Sequence, residues 1–229
     1  MTMHASQEHH SKVRQGLEAL LQKKAKLFEL GKQLTQSGGQ AMFPLDLLAF
    51  AAIKRNLSTT AALVTLIEAF NMLAARSMLR VHLDSSLRFA AAWFVDDSQG
   101  FAAKVNAGER IDKLKDRDGR QLRDARLVEL LAPDHPWLPK VYERLSSYVH
   151  LSDSHLTGAV TSVEESGAIS FELRADDDHY PVQSWVEIMD CAHEGTEILA
   201  DYLAGYIQTK NTSPKELAAT REAFEAGNK

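Results

Sequence analysis

The chain has 229 residues, of which 45% are apolar and 25% charged, with a net charge of −5. That length and apolar share suit one large domain with a sizeable core. The mild acidity excludes a general polyanion binder, so any contact with nucleic acid must come from a local basic patch.

The one cysteine, Cys191, allows neither an internal disulfide nor a cysteine-built zinc cage, and fits a reducing cytoplasm. The N-terminal MTMHASQEHHSK lacks the apolar stretch of a secretory signal, and residues 1–10 read as a flexible terminus. The longest nearly apolar run, FAAAWFV at 89–95, falls far short of the roughly 20 residues that span a bilayer. The expectation is a cytoplasmic protein with no membrane contact.

Val13, Leu17, Leu20, Leu21, Leu27, Leu30 and Leu34 recur at three and four and predict a helix over 11–35, which the glycines of TQSGGQ end. PLDLLAFAAIKRN opens a second helix on a first-turn proline. The segment 58–97, from STTAALV to WFVDD, holds no Gly or Pro and is apolar on most sides. It predicts a central helix capped by Ser58 or Thr59, either continuous or bent near HLDSS. Residues 98–121 mix short helical pieces with a charged loop. LRDARLVELLAP is a short helix stopped by Pro133, and HPWLPKVYERLSSYVH runs helical to about 150.

From 158 to 175 the pattern changes to alternating apolar residues around EESG, which predicts a two-stranded hairpin inserted in a helical body. A long amphipathic helix follows over 181–209, and 212–229 make a short helix and tail. The fold class is therefore all-α: a multi-helix bundle around a long apolar central helix, in a single domain, with one small β-hairpin at 158–175.

Arg76, Arg80, Asp84 and Arg88 stand four apart and form one polar stripe on the central helix. Three arginines against one aspartate leave surplus positive charge. Either acids from other helices neutralise it, or it binds an anion, since guanidinium forks match phosphate oxygens. In VYERLSSYVHLSDSHL (141–156), Arg144 precedes His150 by six positions. Ser146 and Ser147 one turn back, and Asp153 one turn on, could fix the tautomer of a working His150. Six residues separate the two side chains by about 120° on one helix, and a symmetric dimer would close that gap.

This helical pattern, with Arg, a short spacer and His on a late helix, resembles the HEPN superfamily. A polar residue commonly follows the arginine in that family; Leu145 stands there, whereas Ser77 follows Arg76 in the second pair of this spacing, Arg76 and His82. The resemblance implies a metal-independent endoribonuclease of a toxin–antitoxin or phage-defence system that works as a homodimer, with RNA as substrate and a cognate antitoxin or other partner protein. It implies His150 as base toward a ribose 2′-hydroxyl. Arg144, helped by Arg76, Arg80 or Arg88, would stabilise the phosphoryl charge, with Asp84, Ser146, Ser147 and Asp153 in support. A non-catalytic HEPN-like scaffold or ligand sensor is the alternative.

No cofactor is expected. No metal is expected either, because His150 and His155 are five apart, whereas helical ligand pairs want three or four. The third pair, Arg174 and His179, follows the hairpin and reads as accidental. KLKDRDGRQLRDAR (113–126) reads as a solvated loop rather than an RNA clamp, and Trp93, Trp137 and Trp185 as core residues.

Overall fold

The computed structural model describes residues 2–149, 155, 159–171, 173–213, 215–216 and 219, with side chains from residue 11 onward except that of 161. Among these residues the fold is all-α with one hairpin, in the order α1 (Thr2–Gln36), α2 (Pro44–Glu68), α3 (Met72–Ala90), α4 (Ser98–Asn106), α5 (Asp124–Leu131), α6 (Leu138–Ser146), β1 (Val160–Val163), β2 (Ile169–Phe171) and α7 (Val182–Asn211). Helix α1 starts well before the periodic leucines. Of those leucines, Leu20, Leu27 and Leu34 are fully buried, whereas Leu21 faces solvent.

The central apolar segment is divided differently from the sequence expectation. Helix α2 runs from Pro44 straight through Ser58 and Thr59 to Glu68, so neither residue is a cap. The Thr59 hydroxyl instead lies against the backbone carbonyls of Arg55 and Asn56. The break falls at 69–71, and α3 passes through HLDSS uninterrupted.

The hydrogen bonds explain the stop. The Asn71 amide donates to Leu66 and the Phe70 amide to Ile67, the pair of bonds that closes a helix over a left-handed residue. That residue is Phe70, at φ 51°, where glycine is usual. A side chain there costs on the order of 1 kcal/mol, and the Phe70 ring packs edge-on against fully buried Trp185 at 5.6 Å. Asn71 then caps α3 by accepting from the Ala74 amide. Asp177, from the far side of the hairpin, accepts from the amides of Met72 and Leu73.

Helix α3 is the centre of the bundle, packed on α2, α5, α6 and α7, while α1 lies along α7 and α2. Gly195 lets α7 approach α3 closely: a Cβ there would sit 2.4 Å from Leu83, and Ser86 Oγ donates to the Gly195 carbonyl at 2.6 Å.

A buried ion pair clamps one end of the bundle. Lys210 of α7 meets both carboxylate oxygens of Asp46 of α2 at 2.9 and 3.0 Å, and both side chains are almost wholly buried. The same carboxylate accepts from the Phe43 amide at the start of α2. Helix α2 is long and apolar enough, by length and composition, to cross a bilayer. Its buried face, from Leu45 to Ile67, packs into the bundle and carries the polar Asp46 and Asn56.

The strands pair antiparallel, Val163 opposite Ile169 and Val160 opposite Phe171, with an irregularity between Val160 and Ser162. Gly167, at φ 84°, makes the turn. The charged stretch 113–126 is ordered by its own charges. Arg126, nearly buried, meets Asp116 and Asp118 at 2.6 Å and Glu129 at 2.8 Å. Asp116 also accepts from the amides of Asp118 and Arg120. Arg126 is thus fully engaged by these acids, and Arg120 pairs with Glu129 at 2.7 Å. Trp185 sits in the core, and Trp93 packs against Phe89, Tyr202 and Tyr206.

Candidate functional site

The polar stripe of α3 divides into two parts. Toward the C-terminal end, Arg88 Nε donates to both oxygens of Asp84 at 2.8 and 2.9 Å, and Arg88 Nη2 to Asp124 at 2.7 Å. Arg80 donates to the other Asp124 oxygen at 2.7 Å and covers the Tyr142 ring at 3.7 Å. Arg55 of α2 reaches Asp84 at 3.0 Å. Burial pulls the Arg88 guanidinium down, but Asp84 and Asp124 outweigh it and hold the group above its ordinary value. Of the expected phosphate ligands, Arg80 and Arg88 are thus paired with internal acids. Asp84, expected in support, is the hub of this cluster.

Arg76 is different. Its guanidinium lies over the rings of Tyr148 and Tyr180, 4.7 and 4.9 Å from their centroids, and Nη1 donates to the Tyr148 hydroxyl at 2.7 Å. No carboxylate of the described residues lies within ion-pair distance of it. Ser77 helps to hold the clamp by donating to the Tyr148 carbonyl at 2.9 Å.

Arg76 also borders a small hollow between α3, α6 and α7 that Arg144 lines, together with Leu145, Glu187 and Cys191. Arg144 likewise has no carboxylate partner within ion-pair distance among the described residues. The structure therefore brings Arg76 and Arg144 to one cleft and sends Arg80 and Arg88 elsewhere. Cys191 is half-buried, and burial, aided by Asp190, Glu187 and Glu194, pushes its thiol up to about 11, far from a reactive thiolate.

His150 and Asp153 lie outside the described residues. Helix α6 ends at Ser146, and tighter turns continue to Val149. Ser146 donates to the Tyr142 carbonyl and Ser147 to the Arg144 carbonyl, both at 2.8 Å, so these hydroxyl protons serve the helix end.

The second Arg–His pair does not meet. His82 is fully buried on the face of α3 turned to α2 and α7. Its Nε2 lies 3.0 Å from both the Ala192 carbonyl and Thr196 Oγ1, and its Nδ1 lies 2.8 Å from Thr59 Oγ1. This network assigns the proton to Nε2, donating to Ala192. Burial pushes the imidazole down to about 4, against the opposing pull of the Ala192 carbonyl. His82 is a neutral strut of the core. In the third pair, Arg174 meets Asp178 at 2.6 Å and Asp176 at 3.3 Å.

Sequence reasoning missed Arg55, Asp124, Tyr148, Asp177 and Tyr180, all of which reach α3 from other segments. The signal for Tyr148 lay in the quoted stretch itself, two residues before His150. Among the described residues, no three His, Cys, Asp or Glu side chains converge as metal ligands would.

The site that results is a cleft with two guanidiniums, one of them against two tyrosine rings, on an all-α bundle. Comparison with protein-family models, curated proteins and solved structures gives no match.

Proposed function

We propose that this protein is a HEPN-like, metal-independent endoribonuclease of a toxin–antitoxin or phage-defence system, acting in the cytoplasm as a homodimer. Arg144 and His150 are its catalytic pair, and Arg76 is a second phosphate-binding cation. The observation that carries this reading is the cleft bordered by Arg76 and Arg144, two guanidiniums without carboxylate partners among the described residues, with His150 six positions beyond Arg144 in the chain. Such cations are matched to phosphoryl oxygens.

In the proposed reaction His150 takes the proton of a ribose 2′-hydroxyl. The 2′-oxygen attacks the adjacent phosphorus, and the 5′-oxygen leaves and takes a proton from solvent. The products are a 2′,3′-cyclic phosphate and a 5′-hydroxyl end. Arg144 and Arg76 stabilise the charge that grows on the non-bridging oxygens.

The test is cleavage of end-labelled RNA by purified protein in the presence of a chelator. His150→Ala and Arg144→Ala should each lower formation of the cyclic-phosphate product by about 10²–10⁴-fold, the usual worth of positioned acid–base help. Undiminished cleavage by both variants would remove this pair from the chemistry.

The second reading is a non-catalytic HEPN-like scaffold or ligand sensor. It is favoured by the pairing of Arg80 and Arg88 with Asp84 and Asp124, which takes two of the expected cations out of play. RNA binding without cleavage by the wild-type chain would select it.

A further inference from the structure

A second hollow, of about 220 Å³, opens on the other side of Arg76, between the first turns of α3 and the segment that follows the hairpin. Arg76, Tyr148 and Tyr180 form one wall; Leu73, Leu173 and Asp177 belong to the others. We propose that this hollow seats a small phosphomonoester with a planar body, of the nucleoside monophosphate class, and that Arg76 holds its phosphate. The seat does not depend on cleavage by Arg144 and His150, and so goes beyond the ribonuclease reading.

Charge is the first argument. Arg76 is half-buried, and it has aromatic rings against it where the other arginines of the stripe have carboxylates. The acids on the rim are engaged elsewhere. Asp177 accepts from the Met72 and Leu73 amides at the head of α3, and Asp176 pairs with Arg174. One Arg76 donor is committed to the Tyr148 hydroxyl. A guanidinium carries five N–H donors, so the fork retains bonds for phosphate oxygens. Contact with two rings and the bond to the Tyr148 hydroxyl restrain the guanidinium before a ligand arrives, which lowers the ordering cost of binding.

Size and lining narrow the class. The hollow is smaller than the roughly 300–1,000 Å³ of sites that enclose drug-sized ligands. It suits a phosphate with a sugar, not a stretch of strand. At its edge Leu73 is half-exposed and Leu173 is 91% exposed. Inorganic phosphate would leave both in water, whereas a planar ring lying over them would remove apolar surface from solvent. The rings of Tyr148 and His155, 6.1 Å apart, add an aromatic edge on the same side.

The same chemistry could come from a free mononucleotide or from the 5′-phosphorylated end of an RNA, and the probes separate the two. Full-length His150→Ala protein is titrated by calorimetry and by NMR of the tyrosine ring signals. The probes are AMP, ribose 5-phosphate, inorganic phosphate, adenosine, and a short RNA with either a 5′-phosphate or a 5′-hydroxyl.

The expected order is AMP, then ribose 5-phosphate, then phosphate, with adenosine far weaker and the Tyr148 and Tyr180 signals moving. Preference for the phosphorylated RNA end over AMP would assign the seat to RNA ends; the reverse would assign it to free nucleotides. Arg76→Gln should weaken AMP about tenfold or more, the usual loss for a bond to a charged group. Arg76→Lys, which keeps the charge and loses the planar fork, should fall between.

Arg110→Gln, at an exposed pair with Asp112 remote from the hollow, should change nothing. Equal binding of adenosine and AMP, unmoved tyrosine signals, or full AMP affinity in a folded Arg76→Gln protein would each overturn the proposal. These results concern binding alone, so they leave the cleavage test of Arg144 and His150 to stand or fall separately.

Discussion

One stripe of one helix meets two fates. At the C-terminal end of α3, Arg80 and Arg88 share Asp84 and Asp124 with Arg55, and every carboxylate oxygen named there accepts from a guanidinium. One turn before Arg80, Arg76 has two tyrosine rings and, among the described residues, no carboxylate within ion-pair distance. The residue type and the face are the same, so the difference comes from what the neighbouring segments bring. Helices α2 and α5 deliver Arg55 and Asp124 to the C-terminal end; the turns after α6 and the segment after the hairpin deliver Tyr148 and Tyr180 to the other. An arginine that folding has paired is spent on holding helices together. One placed against rings is restrained without being neutralised, and it can still take an anion.

The largest expected effect is in the paired region. Asp84→Ala strips the acid shared by Arg55, Arg80 and Arg88 and leaves three cations with Asp124 alone. Asp84 is largely buried while Arg55 and Asp124 are partly exposed and screened, so its loss costs about 3 kcal/mol, the low end for breaking a buried pair. The comparison variant, Arg76→Ala, orphans no acid and loses two cation–ring contacts worth about 0.5–1 kcal/mol each. Urea unfolding of both variants checks this directly. Equal losses would mean that the two ends of the stripe do not differ as described.

His82 extends the paired class to a neutral group. Its ordinary value of 6.5 is lowered to about 4 by burial. At pH 7 it is neutral when folded and mostly neutral when unfolded, so it contributes little pH dependence there. Between about 6.5 and 4 the unfolded chain takes up the proton and the folded one does not, so stability falls as pH drops and levels off below about 4. The loss on reaching pH 4 is about 3 kcal/mol. In His82→Gln, which keeps a donor and an acceptor, that part of the slope should vanish. Parallel pH–stability curves for wild type and variant would show that the imidazole takes up its proton as readily in the core as in the unfolded chain.

How much of this was legible in the sequence follows from the range of each interaction. Helices were readable because leucine spacing is local, and so was the hairpin, from alternation around EESG. The break at Phe70 was not, because its left-handed residue is neither Gly nor Asn and is held by a ring contact to Trp185 across the bundle. The stripe of α3 was legible as a stripe, since four-residue spacing is geometry. Its division was not, because Asp124 is 36 residues from Arg88 and Asp177 is 105 from Met72. The Lys210–Asp46 pair, 164 residues apart, left no local mark either. What a helix carries is written in its own residues; what neutralises it is decided by its neighbours.

The smallest expected effect tests the same rule on apolar groups. Val163, Ile169, Phe171 and Leu173 of the hairpin region are all more than half exposed. Ile169 and Phe171 share one face of β2 by alternation, and Val163 pairs opposite Ile169. A side chain left in water is not held by burial, just as an unpaired guanidinium is not held by charge. Phe171→Thr should therefore change the unfolding free energy by no more than about 0.5 kcal/mol, the range of ordinary surface substitutions. A Phe buried in the core, such as Phe89, would cost about 3–5 kcal/mol on truncation to Ala. A loss at Phe171 approaching the core value would mean that this face is covered in solution, and the rise of that loss with protein concentration would tell whether a second copy covers it.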